Sequence, residues 1–211
     1  MLANILRTDL AAHRPLPADS ELAQAIAVLA RAQQDAVWQR TDAHNKLRSL
    51  LREFYPAILA AFASKRGGLL RAEARALLAA APTPHAAARL TKSQLRALLR
   101  RAGLQRGIDA EADRLHQVLR ADYLHHPPMI EEAFGRQAIA LLRQLDTACA
   151  NAEDLAAATA EQFTQHPDAA IITSLPGLAV LTGARVLPRS ATTARASPTP
   201  EVSRPTPAAP R

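Results

Sequence analysis

The chain has 211 residues, 48% hydrophobic and 21% charged, enough to bury a domain-sized core. Its apolar runs are short and broken by Arg, Gln or Asp, far below the roughly 20 residues that cross a bilayer, so a membrane protein is excluded. Lys and Arg at 26 against Asp and Glu at 19 give a net charge of +7, mostly through Arg, the cation suited to phosphate. Nucleic acid is therefore a candidate partner. Two features temper this. The tail from Pro188, with four Arg and one Glu, holds +3 of the +7, and aromatic residues at 3% are too few for a platform that stacks single-stranded bases. Binding to backbone phosphates is the expectation. Met1 to Leu10 lacks the apolar region and cleavage site of a secretory signal, which points to the cytoplasm. The one cysteine, Cys149, offers neither an internal disulfide nor a CxxC pair.

Seven glycines, no sustained apolar/polar alternation and abundant Ala, Leu, Arg, Gln and Glu predict an all-α fold up to about Ala184. A first short helix, Leu2 to Ala12, is closed by His13-Arg14-Pro15-Leu16-Pro17. Asp19 and Ser20 then offer an N-cap. Leu22, Ile26, Leu29, Gln33, Ala36, Arg40, Ala43, Leu47, Leu50 and Phe54 follow at spacings of four and three, the heptad seam of a coiled coil, with Gln33 and Arg40 as polar interruptions that fix register. Tyr55-Pro56 ends or kinks that helix. A second long helix from Pro128 to Gln165 repeats the spacing through Phe134, Ala138, Leu141, Leu145, Ala148, Ala152, Leu155 and Thr159. Two such helices imply a coiled-coil hairpin or a dimer, and Cys149 beside the seam reads as a small core residue.

Between them, shorter helices are expected over 57–64, 69–81, 91–102 and 109–124, a small helical insert at the end of the hairpin. The third carries a Thr91/Gln94 capping box and Gly103 as its stop, and the fourth is closed by His125-His126-Pro127-Pro128. After His166-Pro167-Asp168 come two short helices, 171–174 and 180–187, joined by Leu175-Pro176-Gly177-Leu178-Ala179. From Pro188 to Arg211 there are six prolines and, apart from Val202, no apolar side chain larger than Ala outside those prolines, so disorder is expected.

No pattern of converging groups supports catalysis. Glu131-Glu132 and Asp109, Glu111 and Asp113 fall in helix first turns, where negative charge suits the helix dipole. His116, His125 and His126 lack the spaced partners of a metal site. Arg89, Lys92, Arg96 and Arg100, with Arg101 beside them, form a basic face opposite Leu95 and Leu99, able to clamp phosphates or simply to be a solvated helix face. Ile172 to Leu187 resembles a helix-hairpin-helix whose turn, Pro176, Gly177, Leu178 and Ala179, either presents backbone N–H groups to a phosphate or is purely structural; Ala179 stands where the motif's second glycine is usual.

Several segments, in order, carry a family resemblance: Leu2-Ala3-Asn4-Ile5-Leu6-Arg7-Thr8-Asp9 with His13-Arg14-Pro15-Leu16-Pro17; Leu47-Arg48-Ser49-Leu50-Leu51-Arg52-Glu53-Phe54-Tyr55-Pro56; Ala88-Arg89-Leu90-Thr91-Lys92-Ser93-Gln94-Leu95; and Phe163-Thr164-Gln165-His166-Pro167-Asp168 with the Pro-Gly hairpin. From Met1 to Leu187 the chain resembles the IS110-type insertion-sequence transposases, DEDD recombinases related to the Piv invertases. The resemblance implies that residues 1–17 end a RuvC-like domain, that 18–168 form a coiled-coil domain with an insert at 57–127, and that 169–187 begin a C-terminal transposase domain. It further implies RNA-guided, Mg²⁺-dependent DNA strand exchange in intact relatives, with DNA and a guide RNA as partners.

The family's acidic tetrad and nucleophilic serine have no counterpart among these residues, so this chain is expected to bind no metal and to be catalytically inactive, truncated at both ends. A GC-rich back-translation of Pro188 to Arg211, read one nucleotide earlier, gives Ala-Glu-Ile-Gly-Asp-Asp and onward, the continuation the resemblance implies, so residues 188–211 read as frameshifted. The competing expectation is a non-catalytic dimerisation or nucleic-acid-binding module, forming a homodimer or joining an intact transposase through its coiled coil. An unrelated helical scaffold stands as the third.

Overall fold

A computed structural model describes residues 20–194, with side chains as far as Leu187, and these residues are all-α. The helix expected over 2–12, the domain end assigned to 1–17 and the tail from 195 lie outside the described residues. The chain divides into two compact units, Gln33–Leu155 and Met1–Ala32 with Ala156–Arg211. Two long helices, α1 (Glu21–Phe54) and α7 (Pro128–Thr164), each contribute a stretch to both.

Helix α1 begins where capping chemistry puts it. The Ser20 hydroxyl accepts from the Ala23 N–H at 3.2 Å, closing one of the amides left open at a helix start. It ends at Tyr55, which the ring of Pro56 forces out of helical geometry (φ −136°, ψ 57°). Pro56 then opens α2 (Pro56–Phe62), a position where its missing N–H costs nothing.

In the Gln33–Leu155 unit the two long helices lie antiparallel. The Phe54 ring stacks on Phe134 with centroids 5.0 Å apart. Further back along α1, Ala43 and Lys46 border a groove with Arg143 and Thr147 of α7. Leu47, Leu51, Leu142, Leu145 and Cys149 are buried together in this core. The hairpin alternative of the seam is thus realised within one chain. The register is that expected, Gln33 being buried and Arg40 half-buried in the seam, with one small departure in α7, where Leu142 takes the core position while Leu141 is half-buried. Burial pushes the Cys149 thiol above its ordinary pKa, in keeping with a packed core residue.

The insert closes over one end of this pair. It comprises α2, a 3₁₀ turn (Gly68–Leu70), α3 (Ala72–Ala80), α4 (Pro84–Ala88), α5 (Lys92–Arg101) and α6 (Ile108–Val118). The single helix expected over 69–81 is divided at Arg71, whose extended backbone (φ −68°, ψ 140°) separates the turn from α3. Helix α4 was not expected from the sequence; Thr83 caps it by accepting from the Ala86 N–H at 3.1 Å, and Pro84 opens it. Helix α6 stops at Val118 instead of reaching Leu124. Its last turn tightens, Arg120 and Ala121 donating to the carbonyls of Gln117 and Val118. Residues 122–127 are left free to wall a cleft.

In the other unit Ala23, Ile26 and Ala30 of α1 pack with Phe163, with Ala169 and Ile172 of α8 (Ala169–Ser174), and with Ala184 and Leu187 of α9 (Val180–Ala194). Leu29, expected in the seam, is half-buried and Ala30 takes the core position. Helix α9 continues past Leu187 to Ala194, so the first part of the stretch expected to be disordered, 188–194, is helical. The helix continues although Pro188, in its interior, has no N–H for the Ala184 carbonyl, so one rung of the helical hydrogen bonding is missing there.

Candidate nucleic-acid interface

Helix α5 starts with the capping box read from the sequence. The Thr91 hydroxyl accepts from the Gln94 N–H at 3.3 Å, and the Gln94 side chain accepts from the Thr91 N–H at 2.9 Å. Leu95 and Leu99 face the core. Lys92, Arg96 and Arg100, four apart, share one side of the helix, while Arg101 points roughly 100° further round. Arg89 precedes the box.

The expected basic face is partly neutralised. Lys92 Nζ lies 2.7 Å from Asp113 Oδ1, and Arg96 Nε donates to Asp109 Oδ1 at 2.6 Å. Lys92 holds the Asp113 carboxyl below the usual carboxylate range. Arg89, Arg100 and Arg101 are exposed and form no ion pair among the described residues. Arg101 borders a groove with Leu90, Gln94 and Leu98.

The acids of α6 therefore do more than complement its dipole. Glu111, between them, is gripped by Arg114, whose Nη2 and Nε donate to its two oxygens at 2.6 and 3.1 Å, with Lys65 Nζ at 3.2 Å. The same Arg114 Nη2 donates to the Ala61 carbonyl at 2.7 Å, tying α6 to the end of α2. Arg114 is three residues from Glu111 on the same helix, a spacing visible in the sequence, whereas Lys92 and Arg96 sit on α5 and Lys65 follows α2, and no spacing along the chain announces them.

In the second unit, Pro176 and Gly177 form the centre of a tight turn closed by the Leu178 N–H on the Leu175 carbonyl at 3.2 Å, with Gly177 at φ +84°. That left-handed position is the one a type II turn reserves for glycine. Pro176, Gly177 and Ala179 are exposed and Leu178 half-buried, and α9 begins one residue later. Small residues pack the second helix on its surroundings, as a helix-hairpin-helix requires: a β-carbon on Gly183 would stand 2.9 Å from Phe163 Cζ and 3.0 Å from Ile172 Cγ2.

One feature was not legible in the sequence. In the Gln33–Leu155 unit a cleft of about 710 Å³ is walled by the end of α1, by α4, by the 119–126 segment and by the first turn of α7. Tyr55 lines it, fully buried, with its hydroxyl unpartnered, and burial pushes its pKa far above the ordinary value. Glu131 is also buried, its Oε1 2.9 Å from His125 Nδ1. A Tyr-Pro helix end and a Glu in a helix first turn are common features with no outward sign of a cavity.

No three of His, Cys, Asp and Glu gather as an ion-holding group among the described residues. No helix among the described residues is long and apolar enough to cross a membrane.

Comparison with known proteins adds a sequence relationship. The IS110-type transposase family matches residues 1–56. A Streptomyces coelicolor protein named as a mini-circle transposase for IS117 is 59% identical over 187 residues, 89% of this chain. The chain spans 45% of that relative's length. No solved structure matches it.

Proposed function

Because the chain belongs to the IS110-type transposases, we propose that it serves DNA transposition as a phosphate-binding and assembly part without strand-joining chemistry of its own. The observation that carries this reading is the contrast on and beside α5. Lys92 and Arg96 are held by Asp113 and Asp109, whereas Arg89, Arg100 and Arg101 stand exposed without a carboxylate partner among the described residues. Exposed guanidinium groups are suited to the phosphate backbone of DNA or of a guide RNA. The Pro176-Gly177-Leu178-Ala179 turn would add backbone N–H groups at the start of α9.

Assembly, as a homodimer or with an intact transposase, would use outer helix faces, since Leu47, Leu51, Leu142 and Leu145 of the seam are already packed within the chain. Trp38, 63% exposed on α1, lies on such a face. Any Mg²⁺ needed for strand exchange would be held by residues other than those described, and the reading places the chain in the cytoplasm.

The test is the salt dependence of binding of the whole chain to duplex DNA and to structured RNA. Affinity should fall linearly with salt on a log–log plot, and Arg100→Ala with Arg101→Ala should flatten the slope by about 1 for each phosphate contact removed. Binding that is absent or insensitive to salt overturns the reading.

A further inference from the structure

The ion pairs between α5 and α6 follow a register. Lys92 meets Asp113 at 2.7 Å and Arg96 meets Asp109 at 2.6 Å, so a step of four residues forward on α5 is matched by a step of four back on α6. The next step would set Arg100 against Gln105, which is uncharged and precedes the start of α6. Lys92, Arg96 and Arg100 thus form one row, about 6 Å apart along the helix, over a length on which one DNA strand carries roughly three or four phosphates. Two members of the row hold carboxylates, and both pairs lie at the surface: the Asp109 side chain is 77% exposed and that of Asp113 47%. Exposed pairs of this kind add little to stability. A phosphate offers each cation the same kind of anionic oxygen, and a strand already held at Arg100 brings it there at high local concentration.

We propose that Asp113 and Asp109 are placeholders, and that Lys92 and Arg96 are two further phosphate sites which exchange these carboxylates for the phosphates of a strand bound at Arg100. Arg96 acts on Asp113 as well as on Asp109, so the two exchanges are coupled. The carboxylates therefore set a threshold that a run of phosphates on one strand passes. The inference deepens the phosphate reading above and rests on it.

The experiment titrates the full chain with duplex DNA while the carboxyl carbon resonances of Asp109 and Asp113 are followed by NMR. Affinity is then measured against salt for the parent, for Lys92→Ala with Arg96→Ala, for Asp109→Asn with Asp113→Asn, and for the variant with all four changes. Duplex is expected to move both carboxyl resonances toward those of a free carboxylate. Removing the two cations should flatten the log–log slope by about 2. Removing the two carboxylates should tighten binding about tenfold, the scale of two exposed ion pairs that no longer have to be broken, and this gain should vanish in the variant with all four changes. Asp42→Asn with Glu132→Gln removes the same charge from exposed pairs elsewhere and should give much less. Thermal melts of each variant separate these effects from unfolding. Carboxyl resonances that stay in place on duplex binding, or a gain that the Asp42 and Glu132 changes reproduce or that survives loss of both cations, overturn the inference and leave the phosphate reading standing. Binding that is absent or insensitive to salt in the parent and in the Asp109 and Asp113 variant alike removes the phosphate reading and the inference with it.

Discussion

Gly183 of α9 lies against the ring of Phe163 so closely that a β-carbon would meet Cζ at 2.9 Å. The ring itself is fully buried, and Ile172 Cγ2 would stand at 3.0 Å, so two packed side chains would have to shift at once. Two effects oppose each other in Gly183→Ala. Helix propensity favours alanine by about 1 kcal/mol. Overpacking a closed core costs about 1–3 kcal/mol. The clash wins, and the variant is expected to be less stable by about 1 kcal/mol in thermal unfolding. A variant more stable than the parent would show that the hairpin can open to admit a methyl group.

The α5 cap gives a second, cleaner case. Thr91→Ala removes the acceptor for the Gln94 N–H and the hydroxyl's own bond to Gln94 Oε1, leaving the Gln94 side chain only the N–H of residue 91. The expected cost is about 1 kcal/mol, read from the denaturation midpoint with an unchanged slope. Because α5 carries Arg96, Arg100 and Arg101, the same variant should also weaken phosphate binding if the helix start frays.

The cap was visible in the sequence for the reason that makes it predictable: donor and acceptor lie three residues apart and the geometry is local. The same holds for Ser20, for the Tyr55-Pro56 break and for the seam through Ile26, Ala36, Ala43, Leu47 and Phe54. What was not visible depends on chain segments meeting in space. Asp109 and Asp113 turned from dipole charges into partners of Arg96 and Lys92 because α6 folds back beside α5. Leu29 and Leu141 yielded their core places to Ala30 and Leu142, since a straight helix drifts against a heptad pattern and the neighbouring helices decide which side is covered. The Tyr55 cleft arises from four separate segments, none of which is unusual alone.

Glu111 links folding to acid. The hydrogen bonds from Arg114, aided by Lys65, hold its carboxyl below the usual range, while burial works against them. A carboxylate with a depressed folded pKa contributes stability above its unfolded value, about 4.3, and loses that contribution as the pH falls through the folded value. Glu111→Gln is therefore expected to be less stable at pH 7 by on the order of 1 kcal/mol and nearly equal to the parent near pH 2. Melting curves across that range check it. A constant difference at every pH would mean that the loss is one of packing.

Tyr55 sets the opposite end of the pH scale. Its hydroxyl is buried without a partner, a situation that costs about 1–3 kcal/mol relative to an apolar group of the same shape. Tyr55→Phe removes the oxygen and keeps the ring against Phe54, whose centroid is 6.0 Å away. The variant is expected to gain about 1 kcal/mol. The pH dependence follows from the raised folded pKa: the phenol stays protonated when folded, and unfolding releases its proton once the pH exceeds about 10. The parent's stability from this group is complete below that pH and drains away above it, whereas Tyr55→Phe has no such proton to lose. The gap between the two should widen from pH 9 to pH 11, and the Tyr55 part of the phenolate absorbance should appear only as the chain unfolds. A variant less stable than the parent at neutral pH would mean that the hydroxyl has a partner in solution, and a gap that does not widen would mean that it already reaches water.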